Sequence, residues 1–436
     1  MTTQNLLLQQ NTVNILQLLL SKGDVARTSD NKLKPKNTMK NCELVLSNDP
    51  NLAGCFRMNV FAHKWEIVKP LPWGNHENPF QIRDWTDADD NELVSYMEQF
   101  QLTHCKQVIL DSLSNIFNRN QYHPVKEYLE SLVWDGTQRI DTFLQDVFQV
   151  DDNVYTREAF RLFLIAGISR IYKPGCKYDY VLILKGNQGI GKSTVFRILA
   201  KLASWHLEDL KNVGKPGIEQ IQGKWIAEIS ELSVMKKTQV EDFKSFITIT
   251  SDNVRLPYAK RPCDLPRQCI FAGTTNDATY LKDKTGNRRF MPIESPRAEN
   301  DCIDFEYVES IVDQLWAEAM ELCKAGYKLD LSDKAKSIAN EYRDAVMDED
   351  IWGGMIEHYL SPTNWGNAER KRVCVKELWD EVVGISNRQM SDDEKKNIRT
   401  IMDKMPGWEI YSNSKDHRAN CGKYGKQVCW ERKDND

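Results

Sequence analysis

The sequence predicts an α/β protein built on a P-loop nucleotide-binding core, with a mainly helical N-terminal region and a winged-helix-like C-terminal domain. Three observations carry this. First, Val181 to Leu184 form an apolar run that passes into Lys185-Gly-Asn-Gln-Gly-Ile-Gly-Lys-Ser-Thr194, a glycine-rich loop. Second, Val181 to Leu184, Trp225 to Ile229, Cys269 to Ala272 and Phe290 to Ile293 are apolar segments that alternate with helical or loop segments, as strands of an open α/β sheet do. Third, the last ninety residues pair helical patterns with two strand-like runs around a basic loop.

The loop is a phosphate cradle. Gly186, Gly189 and Gly191 let the backbone fold closely, with Asn187, Gln188 and Ile190 completing the turn, so that N–H groups point inward. Lys192 then supplies a point charge for phosphate oxygens, and Ser193, followed by Thr194, a hydroxyl for Mg²⁺. ATP and Mg²⁺ are the ligands this pattern implies. Val195, Phe196, Leu199 and Ala200 form one stripe of the helix expected from Ser193 to Ser204.

The chain is 436 residues long, enough for two to four structural units. Its apolar runs are too short to cross a bilayer, and its first residues lack a secretory pattern, so a soluble, cytoplasmic protein without membrane contact is expected. Eleven cysteines occur without a Cys-x-x-Cys pair, which favours free thiols, with Cys269 buried in its strand. The net charge of −5 supplies no global attraction to nucleic acid, so any such binding rests on local basic loops.

Along the chain, residues 1–45 read as a short helix and a lysine-rich linker, and 46–118 as a mixed region in which Trp73 and Trp85 belong to a core. Residues 119–175 read as helical, with one helix opened by Pro124 and ended by Trp134-Asp-Gly136 and another over Thr156 to Tyr172. Residues 176–297 are the nucleotide-binding core, and 298–348 a helical extension with Ile311, Leu315, Ala319 and Leu322 facing inward. Residues 349–436 form the winged-helix-like domain. It holds helices at Val373 to Val383 and Asp392 to Met405, the second opened by a Ser391/Glu394 capping box. Strands at Trp408 to Tyr411 and Gln427 to Glu431 flank a loop bearing Lys415, Arg418, Lys423 and Lys426.

Further residues could do chemistry. Glu228 lies within the strand expected beside the P-loop, and Glu231 at its end. A carboxylate there can hold Mg²⁺ through water and polarise the water that attacks a γ-phosphate, although Glu228 fits equally well as a buried acid with a positive partner. Asn276, at the tip of its strand, can orient that water, read the γ-phosphate or simply form a turn. Arg288 and Arg289 precede a strand and suit either an interface finger or surface ion pairs. Lys244 leads into a segment where Arg255, Tyr258, Lys260 and Arg261 make a compact basic loop with one aromatic, suited to a nucleic-acid strand.

The order of these elements resembles the superfamily 3 helicases, AAA+-related ring motors, and more closely the virulence-associated protein E family of phage and genomic-island replication proteins. The matching stretches are His123 to Gly136, Pro174 to Lys177, the P-loop, Trp225 to Leu232, Phe246 to Tyr258, Gly273 to Asn276 and Asp283 to Phe290. The resemblance implies an AAA+-like core and an ATP-dependent DNA helicase, acting in the cytoplasm of a bacterial host as a ring oligomer, with hexamers expected. In it Lys192 and Ser193 bind ATP–Mg²⁺, and Glu231 with Glu228 supplies the Walker B acid. Asn276 is the sensor, Arg288 or Arg289 the finger, and Lys260 and Arg261 contact single-stranded DNA in a channel. The C-terminal domain would meet duplex or origin DNA. Many relatives carry a primase domain ahead of the motor, whose length and acidic metal motif are not read in this sequence, so priming is expected to need another protein, and the two acids are separated by two residues where many superfamily 3 members have them adjacent. An origin-binding initiator or loader that does not unwind, or a small-molecule P-loop kinase, would use the same loop.

Overall fold

The structure is a computed structural model, and the residues it describes are 3–74, 79–102, 106–230, 237–255, 261–277, 287–345, 351–361, 371–383, 390–412 and 416–433. Two compact units divide the chain, Met1–Val346 and Met347–Asp436.

The first unit opens with helix α1 (Thr3–Lys22), a hairpin of β1 (Val25–Arg27) and β2 (Leu33–Pro35), and helix α2 (Met39–Asn48). A short helix and linker expected over 1–45 is thus corrected. Ile15 and Leu19 share a buried core with Cys42, Val45 and Leu46, which favours a long first helix, and the buried amide of Asn41 hydrogen-bonds both strand ends of the hairpin. Next come β3 (Phe56–Asn59), β4 (Lys64–Ile67), β5 (Arg83–Asp84), α3 (Asp87–Glu98), α4 (Lys106–Arg119) and β6 (Gln121–Tyr122). Their strands form one sheet in the order β5-β4-β3-β6, so this stretch combines a sheet with helices α3 and α4. Trp65 stacks on Phe117 with centroids 4.6 Å apart. Trp73 and Trp85, half-buried at the rim of the same core, donate their indole N–H groups to Asp89 and Asp90.

Helices α5 (Pro124–Ser131), α6 (Phe143–Phe148) and α7 (Val154–Tyr172) follow. The first stops short of the expected Trp134, whose indole instead donates to Thr137 O in a loop. An Asn153/Thr156 capping box starts α7, which is buried on almost every side and so fits the interior of a large core.

From there the order is β7 (Val181–Lys185), α8 (Lys192–Leu199), β8 (His206–Leu207), α9 (Lys215–Ile221), β9 (Ile226–Ile229) and α10 (Lys237–Thr248). The antiparallel hairpin β10 (Ser251–Val254) and β11 (Cys263–Pro266) precedes β12 (Ile270–Thr275), β13 (Phe290–Glu294), α11 (Phe305–Lys324) and α12 (Asp333–Ala345). Five of these strands make a parallel sheet in the order β13-β7-β12-β9-β8. The strand bearing Glu228 was expected beside the loop strand, but β12 lies between them, with Ala272 paired to Glu228 on one side and to Leu182 on the other. Helix α8 ends at Leu199 rather than Ser204 because Lys201 turns left-handed, at φ 66°. Trp316 of α11 stacks on Trp225 at 4.0 Å and donates to Leu199 O, which ties the helical extension to the sheet.

The second unit contains α13 (Ile351–Leu360), β14 (Arg372–Cys374), α14 (Val375–Leu378), α15 (Asp392–Asp403), β15 (Trp408–Ile410), β16 (Arg418–Asn420) and β17 (Lys426–Arg432). Strand β17 pairs antiparallel with β14, β15 and β16. A single helix over Val373 to Val383 is corrected. Val373 and Cys374 pair with Trp430 and Cys429 as a strand, and the helix that follows loosens into a π-turn at Trp379–Val383. The Ser391/Glu394 capping box is present, and Ile398, Met402, Trp408 and Trp430 lie in one core.

Candidate functional site

Strand β7 is buried along Val181 to Leu184 and feeds the glycine-rich loop directly into α8. Gly189 and Gly191 have φ of 80° and 98°, a region that favours glycine. A Cβ on Gly191 would stand 2.4 Å from the Phe305 ring, and one on Gly189 2.6 Å from Asn300 Oδ1. The segment after β13 therefore lines the outer wall of the loop. Asn187 Nδ2 donates to Arg297 O, Asn300 N to Gln188 O, Ile303 N to Ile190 O, and Cys302 Sγ to Gly189 O. Gly191 caps α8 without a side chain, which leaves the first-turn N–H groups available to an anion such as phosphate.

Lys192 opens the helix and is buried. Its Nζ donates to Gly186 O at 2.7 Å, Asn187 O at 2.9 Å and Asn276 Oδ1 at 2.6 Å. Burial pushes its ammonium down to about 8, opposed by the nearby charge of Glu228. Asn276 itself is exposed just beyond β12, so the loop lysine and the strand-tip amide meet.

One residue on, the Ser193 hydroxyl donates to Glu228 Oε1 at 2.5 Å, and Thr274 Oγ1 donates to the same oxygen at 2.8 Å. Half-buried Thr194 follows on α8. Glu228 is fully buried, and a carboxylate taken from water needs such partners. Its other oxygen, Oε2, lies 3.2 Å from Nε2 of buried His206, although the two are not aligned as a hydrogen bond. Sequence reading missed Thr274 and His206. A two-residue strand leaves too short an apolar pattern to flag His206, but Thr274 stands two residues before Asn276, on the same face of β12. Ser193 and Glu228 are hard oxygen donors that together could hold a divalent cation. Glu231, expected in that role, lies outside the described residues.

The arginine pair is not brought to this loop within the chain. Arg288 and Arg289 end the short turn Asn287–Arg289 ahead of β13, at the end of the sheet where Phe290 pairs with Val181, whereas the loop leaves the opposite end of β7. Arg289 Nε is 3.7 Å from Asp179 Oδ2. Arg288 is exposed, while its carbonyl accepts from Arg343.

Arg255 and Arg261 are exposed at the two sides of the β10–β11 hairpin tip, whereas Tyr258 and Lys260 lie outside the described residues. A buried Asp252–Arg267 pair at 2.7 Å holds the hairpin base, with that guanidinium 4.1 Å over Phe246. Lys244, grouped with this loop in the sequence, is instead buried on α10 beside Glu241, because its helical face turns inward. In the second unit Arg418 and Lys426 are exposed on β16 and β17, Lys423 pairs with Glu381, and Lys415 lies outside the described residues.

Among the described residues no group of three or more His, Cys, Asp and Glu side chains is gathered to hold a metal, no described helix is long and apolar enough to cross a membrane, and the described cysteines are free thiols.

The family pattern of the virulence-associated protein E-like domain matches residues 129–348, just over half of the chain. Among solved structures, the chain is similar to the apo structure of the NrS-1 C-terminal region (305–718). The identity is 13% and the TM-score 0.47, covering 86% of this chain and 95% of that one. It is also similar to the A-form apo structure of the same region, at 14% identity and TM-score 0.46, covering 87% and 96%. No curated protein matches.

Proposed function

This chain belongs to the virulence-associated protein E-like family, and from that premise we propose that it is a replication ATPase of a phage, prophage or genomic island that drives a ring-shaped, superfamily 3-type DNA helicase. The supporting observation is the convergence of Lys192, Ser193, Glu228, Thr274 and Asn276 at the carboxyl ends of adjacent parallel strands, where ligands of open α/β sheets bind.

In this reading the N–H groups of residues 186–191 and the Lys192 ammonium bind the phosphates of ATP. Ser193, with Glu228 behind it, would hold Mg²⁺, which when bound neutralises charge on the transferred phosphoryl group. Glu228, buried and doubly hydrogen-bonded, is suited to the cation side, which leaves Glu231 to polarise the attacking water. Asn276 would exchange Lys192 for the γ-phosphate. Arg288, exposed and away from its own loop, would reach the loop of a neighbouring subunit. The β10–β11 hairpin would carry Arg255, Tyr258, Lys260 and Arg261 to single-stranded DNA in the channel. The second unit would act as the winged-helix-like DNA-binding domain, contacting duplex DNA through Lys415, Arg418, Lys423 and Lys426.

The test is the ATPase rate of size-fractionated protein with and without single-stranded DNA. Stimulation confined to the oligomer is expected. Full activity in a monomer indifferent to DNA would overturn the reading.

A further inference from the structure

Residues 22–40 hold six cationic side chains against two acidic ones, Asp24 and Asp30, in a chain whose net charge is −5. The structure arranges half of those cations in a row. Side chains alternate between the two faces of a strand. Pro35 is buried, although Leu33 on the same face is exposed, and Lys32, Lys34 and Lys36 alternate onto the other face, all three exposed. At two-residue intervals their Cα atoms recur about every 6.7 Å. On the paired strand Ala26 stands opposite Lys34, so neither bulk nor negative charge interrupts the row at its centre. Asp24, one of the two acids of the segment, is matched by Lys40 at 3.5 Å. None of the three lysines forms an ion pair among the described residues.

The ribbon that carries them is braced. Asn41 Oδ1 accepts from Asp24 N at 2.8 Å, and its Nδ2 donates to Asp24 O at 2.7 Å and Lys36 O at 2.9 Å. A Cβ on Gly23 would stand 2.2 Å from that Oδ1, so the entry to the ribbon is closed around the amide. At the tip Thr28 N donates to Lys32 O at 2.9 Å and Arg27 Nη1 to Asn31 Oδ1 at 2.9 Å. The backbone that carries the row is thereby fixed before a ligand arrives, and only the lysine side chains are left to order.

We infer that this ribbon binds the sugar-phosphate backbone of single-stranded DNA, as a surface separate from the hairpin and second-unit contacts proposed above. An evenly spaced line of ammonium groups matches a polyanion whose charges repeat along an extended strand. Residues 22–40 contain no aromatic side chain, so the contact reads no base and stacks on none.

Binding of full-length chain to an oligothymidylate, without nucleotide, is followed by fluorescence anisotropy between 50 and 200 mM salt. For K32A/K34A/K36A the slope of log K against log salt becomes shallower by about 2, from three contacts at roughly 0.7 each. Over that fourfold salt range the variant then loses roughly fifteen- to twentyfold less affinity than the wild type. K32R/K34R/K36R retains the wild-type slope. An unchanged slope, an equal change in the scattered variant K64A/K106A/K324A, or a loss confined to duplex of equal length would each overturn the inference. Because Lys192 and its loop are intact in every variant, basal ATP hydrolysis is measured separately, and failure of the proposed ATPase would show there and not in the salt slope.

Discussion

Ser193 donates its hydroxyl to Glu228 Oε1 at 2.5 Å even though β12 separates the two strands that lead to them. Helix α8 closes that gap by crossing from the end of β7 over β12 to β9. Glu228→Gln keeps an oxygen that accepts from Ser193 and Thr274 but removes the charge. We expect it to shift the Mg²⁺ requirement for hydrolysis upward, while Glu231→Gln leaves nucleotide and Mg²⁺ binding intact and lowers turnover roughly 10²- to 10⁴-fold. Magnesium titrations of both variants check this, and identical profiles would contradict the division of roles.

Lys192→Ala is expected to abolish ATP hydrolysis and weaken nucleotide binding without unfolding the chain. The ammonium is disfavoured by its own burial, and the buried Glu228 carboxylate near it keeps its hydrogen bonds from Ser193 and Thr274 when the ammonium is removed. Thermal melts alongside binding of a fluorescent ATP analogue separate the two effects.

The two arginines should behave differently. Arg288→Ala is expected to leave ATP affinity unchanged and lower turnover by roughly 10³-fold or more, as loss of a finger does. Mixing it with Lys192→Ala subunits should restore part of the rate, because each supplies what the other lacks. Arg289→Ala, which removes the partner of Asp179, should lower the melting temperature first. Mixed-subunit ATPase assays decide between them.

Gly191→Ala places a methyl group 2.4 Å from the Phe305 ring at a φ of 98°. A loss of roughly 1–3 kcal/mol is expected, read as a lower denaturant midpoint. Adding Phe305→Ala should return only part of it, since the backbone strain remains.

Acid stability has a local source in the first unit. Burial alone would raise the Asp89 carboxyl, but hydrogen bonds from Arg83, Thr86 and Trp73 bring it down to about 2. A depressed carboxylate contributes stability above its unfolded value of 3.8 and loses it as pH falls toward 2. Asp89→Asn should therefore cost roughly 2 kcal/mol near neutrality and little at pH 2. Urea midpoints at the two pH values test the difference.

Much of the parallel sheet was legible in the sequence, because β7, β9, β12 and β13 are apolar runs buried on both faces. Strand β8 was not legible, since His206 and Leu207 alone carry no period, and their place is set by pairing with Ile226 and Ala227. Order within the sheet was hidden for the same reason: nothing in a run of apolar residues says which neighbour it takes. Lys192 and Asn276 were each visible as chemistry, but their contact depends on the register of β12 against β7. The N-terminal hairpin reads in the sequence as a linker because Asn41, which fixes it, lies six residues beyond the second strand and resembles any other helical asparagine.

Strand β12 touches both halves of the site, with Thr274 holding Glu228 and Asn276 holding Lys192 two residues later. The hydrogen-bonded ladder of the sheet thereby acts as a ruler. A slip of one residue would turn both side chains to the other face at once, so the proposed chemistry is calibrated by backbone pairing at Ala272 and Gly273, residues that contribute no functional group of their own.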